Sequence, residues 1–356
     1  MDIRTGLSYD DVLLIPQRSP VDSRSDVSLS TRLTPDLDLE APLLSAPMDT
    51  VTEANLATEL SEMGGLGTIH RFLSVDEQAG QVRAVKEAGG RVGAAVGIDE
   101  EFVDRAEATL EAGADCVMVD VAHGHMERCL DAVSRLDRGF PDAELVAGNV
   151  VTPEAVEDLY SAGADCVKVG VGPGSHCTTR RVAGAGVPQL TAVDDCAETA
   201  RDLGITVVAD GGIRTSGDAV KALMAGADTV MLGSFFAGTA EAPGETVTVD
   251  GRRFKRSRGM ASTAANENRT DKDLTPDADE GIAGLTEYTG PLADEVATFL
   301  AGVRSGLSYC GGHDIEAARE NAEFVRVAPG AREREGAHSV FVGVEEEPES
   351  ELAPLR

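Results

Sequence analysis

Apolar residues along the chain fall into short runs that alternate with longer stretches of helical spacing. Three segments share one design, in which a helix end with its Gly is followed by Ala-Asp and then by an apolar strand. These segments are EAGADCVMVD (111–120), SAGADCVKVG (161–170) and MAGADTVMLG (224–233). Five further strands are predicted between turn signals, at 42–46, 66–69, 91–96, 144–147 and 206–209. Every strand except the first follows a predicted helix, so the repeated unit is βα.

Eight βα units predict an α/β fold, a (β/α)8 TIM barrel, with functional groups at the C-terminal ends of the strands. An open doubly wound sheet is the alternative. Its dinucleotide fingerprint, a Gly-rich turn after the first strand, is missing, because the Gly-rich segment 170–174 comes too late and contains Pro173. The barrel is therefore the favoured fold.

The pattern changes after the eighth strand. Residues 241–290 are polar and weakly periodic, which is typical of a mobile lid over an active site or of a disordered loop, and we interpret them as a lid. Residues 291–325 regain helical apolar spacing and predict a closing helix. We therefore expect one catalytic domain over 1–325 that carries the lid, followed by a C-terminal strap and acidic tail over 326–356.

Composition narrows the function classes. The chain is 42% hydrophobic but only 4% aromatic, as in parallel-sheet proteins with an aliphatic core. Its net charge of −31 opposes binding to nucleic acid or anionic lipid. The acids are spread along the chain and Arg greatly outnumbers Lys, which is typical of a surface adapted to high salt. An acidic metal-binding surface is the alternative, but no regular ligand spacing accompanies the charge.

No apolar run approaches the roughly 20 residues that span a bilayer, and the opening MDIRTGLSYDD lacks an apolar signal region. We therefore expect a cytoplasmic protein with no membrane partner. The six Cys form no C-x-x-C pair, which argues against a zinc ribbon or a disulfide framework. A Cys that takes part in chemistry is expected to act alone.

The segment 170–180, GVGPGSHCTTR, is the richest in candidate chemistry. Its glycines and its proline predict an irregular loop whose backbone groups can hold an ion or a phosphate. Cys177 follows this loop after the sixth strand, where a thiolate could attack an electrophilic carbon. The alternative is that Cys177 packs under the loop as a structural residue.

Glycines also follow strands seven and eight. Gly211-Gly212 and Gly233-Ser234 let backbone amides approach a phosphate, and Asp210 could accept two hydrogen bonds from a ribose diol. The basic stretch 252–258 contains one aromatic residue and has no second basic cluster beside it, so a nucleic-acid patch is poorly supported. We interpret it as a segment that places the lid over a phosphorylated ligand.

Together these motifs resemble the IMP dehydrogenase/GMP reductase family nearly end to end. The matching blocks include LSYDDVLLIP (7–16), SAPMDTVTE (45–53), GGLGTIHR (64–71), KVGVGPGSHCTTR (168–180), ADGGIRTSGD (209–218) and RGMAS (258–262). The resemblance implies a barrel oxidoreductase that acts on a purine mononucleotide with a nicotinamide cofactor and a monovalent cation, potassium. It also implies a homotetramer.

The resemblance assigns a role to each matching residue. Cys177 would be the nucleophile that attacks C2 of the purine, and Thr179 with Glu280 would move protons at C2. The nucleotide would be held by Ser175, Asp210, Gly211, Gly212, Gly233, Ser234, Gly259 and Met260. The cofactor would lie near Asp120 and Asn149. The cation would be bound by the backbone carbonyls of Gly172, Gly174 and Cys177.

Three departures from the family pattern bear on which reaction is run. No CBS module is inserted between the second and third strands, because His70 leads through one predicted helix to the strand at 91–96. Dehydrogenases of the family use an Arg-Tyr pair on a mobile flap to activate water, whereas this chain has Arg269-Thr270. Ser257 also replaces the usual Tyr before Arg-Gly-Met.

The resemblance is therefore to a GMP reductase without CBS modules, which would convert GMP to IMP and ammonia with NADPH in purine salvage. The alternative is an IMP dehydrogenase that oxidises IMP to XMP with NAD⁺ and water. Two other classes are weighed against these. A flavin-dependent barrel oxidoreductase would not need Cys177, and a nucleotide sensor without catalysis would not need Thr179 and Glu280.

The charge predicts that folding and activity require molar salt. The Debye length is about 10 Å at 0.1 M salt and about 3 Å at 1 M, so repulsion acts between neighbouring surface carboxylates in dilute buffer. We expect circular dichroism to report loss of structure well below about 1 M KCl, and recovery when salt is restored. Full activity with an unchanged unfolding temperature at about 0.1 M KCl would contradict this prediction.

Overall fold

The computed structural model describes residues 3–262 and 280–332. Three short strands come first: β1 (Val12–Leu14), β2 (Thr31–Thr34) and β3 (Leu37–Leu39). Eight parallel strands follow: β4 (Leu43–Ser45), β5 (Leu66–Ile69), β6 (Val92–Val96), β7 (Cys116–Asp120), β8 (Leu145–Val150), β9 (Cys166–Val169), β10 (Thr206–Asp210) and β11 (Thr229–Leu232). They pair in chain order, and β11 pairs with β4, which closes the barrel and confirms the predicted (β/α)8 fold.

Helices connect the barrel strands and cover their outer faces. The main ones are Ala54–Glu62, Val75–Glu87, Phe102–Glu111, Glu127–Gly139, Pro153–Ser161, Gln189–Leu203 and Ser216–Met224. Shorter or later helices are Thr179–Val182, Ser234–Ala237, Leu292–Tyr309, Ile315–Glu320 and Pro329–Arg332, with 3-10 turns at Tyr9–Asp11 and Arg24–Asp26. One helix, Val75–Glu87, joins β5 to β6, so no module is inserted there. Within the described ranges, no helix has the length and apolar character needed to cross a bilayer.

Apolar side chains pack on both faces of the barrel wall. The larger cluster lies between the strands and the surrounding helices and includes the fully buried Leu56. A second cluster fills the inside of the barrel with Leu44, Met118 and similar side chains, and a third, around Val82, lies among the first helices. Leu33 and Leu39 of the β2–β3 hairpin join this inner cluster and close the N-terminal end of the barrel. The core is aliphatic, as the composition predicts.

The repeated Ala-Asp motif joins neighbouring strands at this N-terminal end. Asp115, Asp165 and Asp228 each precede a strand, and each carboxylate accepts a backbone N–H from the adjacent strand. The donors are Val92, Leu145 and Val207, at 2.8, 2.8 and 2.9 Å. Burial raises the pKa of Asp165 and Asp228, and these hydrogen bonds act in the opposite direction. We call the three carboxylates the N-terminal braces.

The region after the barrel differs from the expectation of a weakly periodic lid over 241–290. It contains an antiparallel sheet of β12 (Thr246–Val249), β13 (Arg252–Arg258) and β14 (Ala283–Glu287). Hydropathy conceals β13 because its buried positions are polar: Lys255 is 4% exposed and Ser257 is 3% exposed. The last strand, β15 (Phe324–Arg326), pairs with β1. The predicted lid residues 263–279 and tail residues 333–356 lie outside the described residues, and the domain bounds stay a prediction.

The N-terminal braces predict a stability effect. Replacing Asp165 by Ala leaves the buried N–H of Leu145 without its acceptor, which costs about 1–3 kcal/mol of unfolding free energy. Asp165→Asn keeps an acceptor oxygen and should lose less. Urea denaturation measures both variants, with Asp142→Ala on the exposed turn as the matched control. Equal midpoints for Asp165→Ala and Asp142→Ala would show that the brace contributes nothing.

Candidate active site

Two adjoining cavities open at the C-terminal end of the barrel. The first cavity, of about 420 Å³, is lined mainly by the loops that follow β9, β10 and β11. The second cavity, of about 450 Å³, is lined mainly by residues at or just after the ends of β5 to β9. Cys177 lines both cavities. Its side chain can therefore reach a group bound in either one.

The structure brings the predicted site residues together around these cavities. The first is lined by Ser175, Cys177, Asp210, Gly211, Gly212, Gly233, Ser234, Gly259, Met260 and Glu280. The second is lined by Asp120, Asn149, Gly172, Gly174, Cys177 and Thr179. The residues expected to hold a nucleotide thus share one space, and those expected beside a cofactor share the next. Their individual roles stay predictions.

Cys177, Thr179 and Glu280 form a hydrogen-bonded chain. The Cys177 thiol donates to Oγ1 of Thr179 at 3.2 Å, and this hydroxyl donates to Oε2 of Glu280 at 2.7 Å. Sulfur and carboxylate lie at the two ends of the chain, with one hydroxyl between them. A proton can therefore move between the sulfur and the carboxylate without bulk water.

Backbone pairing holds Glu280 against the loop that carries the thiol. The N–H of Thr178 donates to the Glu280 carbonyl at 2.8 Å, and the N–H of Ile282 donates to the His176 carbonyl at 2.9 Å. A Cβ at Gly259 would lie 2.9 Å from the same His176 carbonyl. Glycine at this position lets the chain after β13 pass close to the loop.

The side chain of His176 forms a second link that sequence analysis did not find. Its Nε2 is 2.9 Å from Oγ of Ser257, and that hydroxyl is 2.7 Å from Oγ1 of Thr286. The imidazole is half-buried, and burial lowers its pKa. Ser257, noted above as a departure from the family pattern, thus connects the thiol loop to β13 and β14. No local pattern indicates a contact between residues this far apart.

Asp210 belongs to a buried polar cluster around Lys168. The ammonium of Lys168 lies 2.8 Å from Oδ1 of Asp120 and 2.7 Å from Oδ2 of Asp210, and it also donates to Oδ1 of Asn149. The amide of Asn149 donates to the same Asp210 oxygen at 2.8 Å. Burial acts to lower the pKa of Lys168, but the two carboxylates together raise it above its usual value. The lysine is therefore a fixed cation.

Sequence analysis missed Lys168, although a signal was present. It is a charged residue inside the apolar strand Cys166–Val169, and it is 1% exposed. A lysine in such a strand is stable only with buried partners of opposite charge. The two aspartates and the asparagine at neighbouring strand ends could have been recognised as those partners.

Some backbone carbonyls of the loop 170–180, which carries Cys177, are free to act as ligands of the predicted cation. The Gly174 carbonyl accepts the Cys177 N–H at 3.0 Å, so one of its lone pairs is already used. The carbonyls of Gly172 and Cys177 accept no backbone hydrogen bond from the described residues. Carbonyl oxygens are ligands of hard cations. Among residues 3–262 and 280–332, no cluster of His, Cys, Asp and Glu side chains could hold a metal ion.

The basic stretch 252–258 does not line either cavity, and its interpretation as a segment that places the lid over a phosphorylated ligand stays a prediction, because residues 263–279 lie outside the described residues. Two of its side chains pair with acidic neighbours: Arg252 with Glu287 at 2.5 Å and Arg256 with Glu245 at 2.9 Å. These residues lie on the exposed part of the β12–β14 sheet. The predicted flap residues Arg269-Thr270 lie outside the described residues.

Fold and site together define a barrel enzyme with an accessible thiol between two cavities. The sequence profile described as "IMP dehydrogenase / GMP reductase domain" matches residues 6–338. The chain therefore belongs to the IMP dehydrogenase/GMP reductase family, and it is an oxidoreductase that acts on purine nucleotides. Nicotinamide cofactors serve this family.

Relatives of both activities are similar to this chain. An inosine-5'-monophosphate dehydrogenase of Borreliella burgdorferi is 38% identical over 95% of this chain and 98% of the relative. A GMP reductase of Leishmania major is 35% identical over 94% of this chain and 97% of the relative. A crystal structure of a GMP reductase variant from Trypanosoma brucei, in complex with guanosine 5'-monophosphate, has a TM-score of 0.91 and 32% identity, covering 95% of this chain and 99% of that one.

The site predicts selective alkylation of one cysteine. Five of the six free cysteines are buried, and burial raises the pKa of Cys129 to about 11 and of Cys196 to about 12. Iodoacetamide should therefore label Cys177 alone in the folded protein, because thiolate and access are both required. Peptide mass spectrometry locates the label, with Cys177→Ser as the negative control and Cys129→Ser as the matched positive one. Labelling spread over several cysteines would contradict this assignment.

Proposed function

We propose that the protein is a GMP reductase: GMP + NADPH + H⁺ → IMP + NADP⁺ + NH₃. The observation that carries the proposal is the chain from the Cys177 sulfur through Thr179 to the Glu280 carboxylate. It offers a nucleophile and a proton route within one hydrogen-bonded unit. Departure of an amino group as ammonia requires both.

Cys177 and its partners have defined roles in this reaction. An ordinary thiol has a pKa of about 8.5 and is mostly protonated at neutral pH, so its proton must be removed for attack. The thiol proton passes through Thr179 to Glu280 as the sulfur bonds to C2 of GMP. Glu280 then returns a proton to the C2 amino group, and the C–N bond breaks to release ammonia.

The second half of the reaction restores the thiolate. A nicotinamide cofactor, when bound by residues of the second cavity, would supply the hydride that C2 requires. The C–S bond then breaks, IMP leaves, and Cys177 recovers a proton from solvent. Asp120 and Asn149 line the second cavity beside the thiol and would hold the nicotinamide end of the cofactor.

The first cavity provides the groups that a purine mononucleotide needs. Asp210 would accept the ribose hydroxyls, and its position is fixed by Lys168 and Asn149. Gly211 and Gly212 have φ of +91° and +78°, which glycine adopts without strain. They would let backbone amides reach the 5′-phosphate together with Ser175, Gly233 and Ser234. Gly259 and Met260 would contact the base.

We assign further properties as part of the same proposal. Potassium would be bound by the carbonyls of Gly172, Gly174 and Cys177. The enzyme would be a cytoplasmic homotetramer of purine salvage in a halophilic cell. Each of these properties can fail separately from the others.

The alternative, an IMP dehydrogenase, would use the same thiol with NAD⁺ and water. Hydrolysis needs a base on the flap, and in this sequence the family's Arg-Tyr pair is Arg269-Thr270. A threonine hydroxyl has a pKa too high to act as that base. Loss of ammonia needs only Thr179 and Glu280, which already contact each other. The reductase reaction is therefore favoured.

Cofactor absorbance distinguishes the two reactions. In high-potassium buffer, GMP-dependent NADPH oxidation should exceed IMP-dependent NAD⁺ reduction by roughly tenfold or more, or about 1.4 kcal/mol in barrier. Cys177→Ser should abolish turnover while GMP still binds, because binding is assigned to the phosphate loops and Asp210. Cys129→Ser, a buried cysteine outside the site, should keep wild-type turnover. Faster XMP formation from IMP would reverse the assignment.

A further inference from the structure

Lys168 contacts groups that belong to both cavities. Asp210 lines the first and the second cavity, whereas Asp120, Asn149 and Lys168 line only the second. One ammonium thus bonds to a carboxylate on each side, at 2.7 Å to Asp210 and 2.8 Å to Asp120. The lysine comes from β9, while the carboxylates come from β10 and β7. With Asn149 of β8, side chains from four adjacent strands therefore converge on one buried charge.

Lys168 and the two carboxylates that contact it carry one positive and two negative charges, and Arg71 interacts with Asp120 as a further nearby cation. The side chain of Lys168 is 2% exposed, that of Asp210 is 21% exposed and that of Asp120 is 26% exposed. The ammonium is thus almost fully buried at the wall of the second cavity, while each carboxylate keeps an edge that a ligand can reach. We expect a change at either carboxylate to alter how the ammonium is shared between them, because little solvent reaches the ammonium to screen the change.

We propose that Lys168 is a positioning residue that couples binding in the first cavity to the state of the second. The inference rests on the proposed function, because it takes the ligands to be a purine mononucleotide and a nicotinamide dinucleotide. Asp120 shares the ammonium with Asp210 and so leaves the Asp210 carboxylate a strong acceptor for the ribose hydroxyls. If Asp120 is neutralised, the ammonium pairs with Asp210 alone. The Asp210 carboxylate then becomes a weaker hydrogen-bond acceptor for the ribose hydroxyls.

Coupling of this kind is reciprocal. A dinucleotide that binds Asp120 or Asn149 changes the strength of the ion pair between Lys168 and Asp210. In the other direction, a mononucleotide that binds Asp210 changes how strongly Lys168 interacts with Asp120, which lines the dinucleotide cavity. Lys168 touches neither the reacting carbon nor the sulfur in this proposal. Its effect is that the dissociation constant of one ligand depends on whether the other ligand is bound.

The test is calorimetric titration of GMP without any cofactor. Asp120→Asn should weaken GMP binding by about fivefold or more, although Asp120 does not line the first cavity. The matched control is Asp99→Asn, which removes a carboxylate from the second cavity that makes no ion pair with Lys168. This control should leave the GMP dissociation constant unchanged. A GMP affinity of Asp120→Asn within twofold of wild type would overturn the proposal.

A double-mutant cycle then tests whether the effect passes through Lys168. In a Lys168→Met background, Asp120→Asn should no longer change the GMP dissociation constant, since the shared cation is gone. If Lys168→Met alone does not fold, the cycle is run in a Lys168→Gln background. A merely structural lysine would lower the unfolding temperature and leave the two substitutions additive in GMP affinity. Additive effects would therefore refute the coupling.

A second readout uses wild-type protein alone. The GMP dissociation constant should differ with and without saturating NADP⁺, which cannot reduce GMP, and the difference should vanish in the Lys168 variant that folds. Failure of the parent proposal is recognisable separately. If wild type neither binds nor turns over GMP, both proposals fall. If wild type binds and turns over GMP while Asp120→Asn has the GMP affinity of wild type, only the coupling proposal is refuted.

Discussion

The pairing of β11 with β4 is the constraint on which the rest of the molecule depends. It turns a row of eight parallel strands into a ring, so the C-terminal ends of all eight meet around one opening. Within this ring β7, β8, β9 and β10 are neighbours, so Asp120 of β7 reaches Lys168 of β9 from one side and Asp210 of β10 reaches it from the other. The lysine is also only 1% exposed, and charges interact more strongly where little water screens them.

Much of the fold could be predicted because the strands of a parallel barrel are buried on both faces and therefore are unbroken apolar runs in the sequence. The strand predicted at 91–96 is observed at Val92–Val96, and the one predicted at 206–209 extends through Asp210. Groups at the strand ends followed from the barrel rule alone, which is how Asp210 was found. Thr179 and Glu280 needed the family resemblance as well, since their 2.7 Å contact joins distant parts of the chain.

The parts that escaped prediction are those in which buried positions are polar. Lys255 and Ser257 occupy the inward positions of β13, so the strand shows no hydrophobic alternation and was assigned to a lid. Lys255 is accommodated because its ammonium donates to the Ala242 carbonyl at 2.6 Å. Lys168 was not predicted for the same reason, because hydropathy places a lysine on the surface. Its three partners come from different strands and contact it only in the folded barrel.

The N-terminal braces have a consequence for how such a protein can change over evolutionary time. Asp115 and the other braces lie at one end of the strands, and a five-residue strand such as β7 separates that end from the cavities by about 16 Å. Substitutions that far apart, with no shared partners, combine nearly additively. Substitutions at the N-terminal rim can therefore change heat or salt tolerance, and substitutions at the C-terminal rim can change substrate preference. The two kinds of change can accumulate independently.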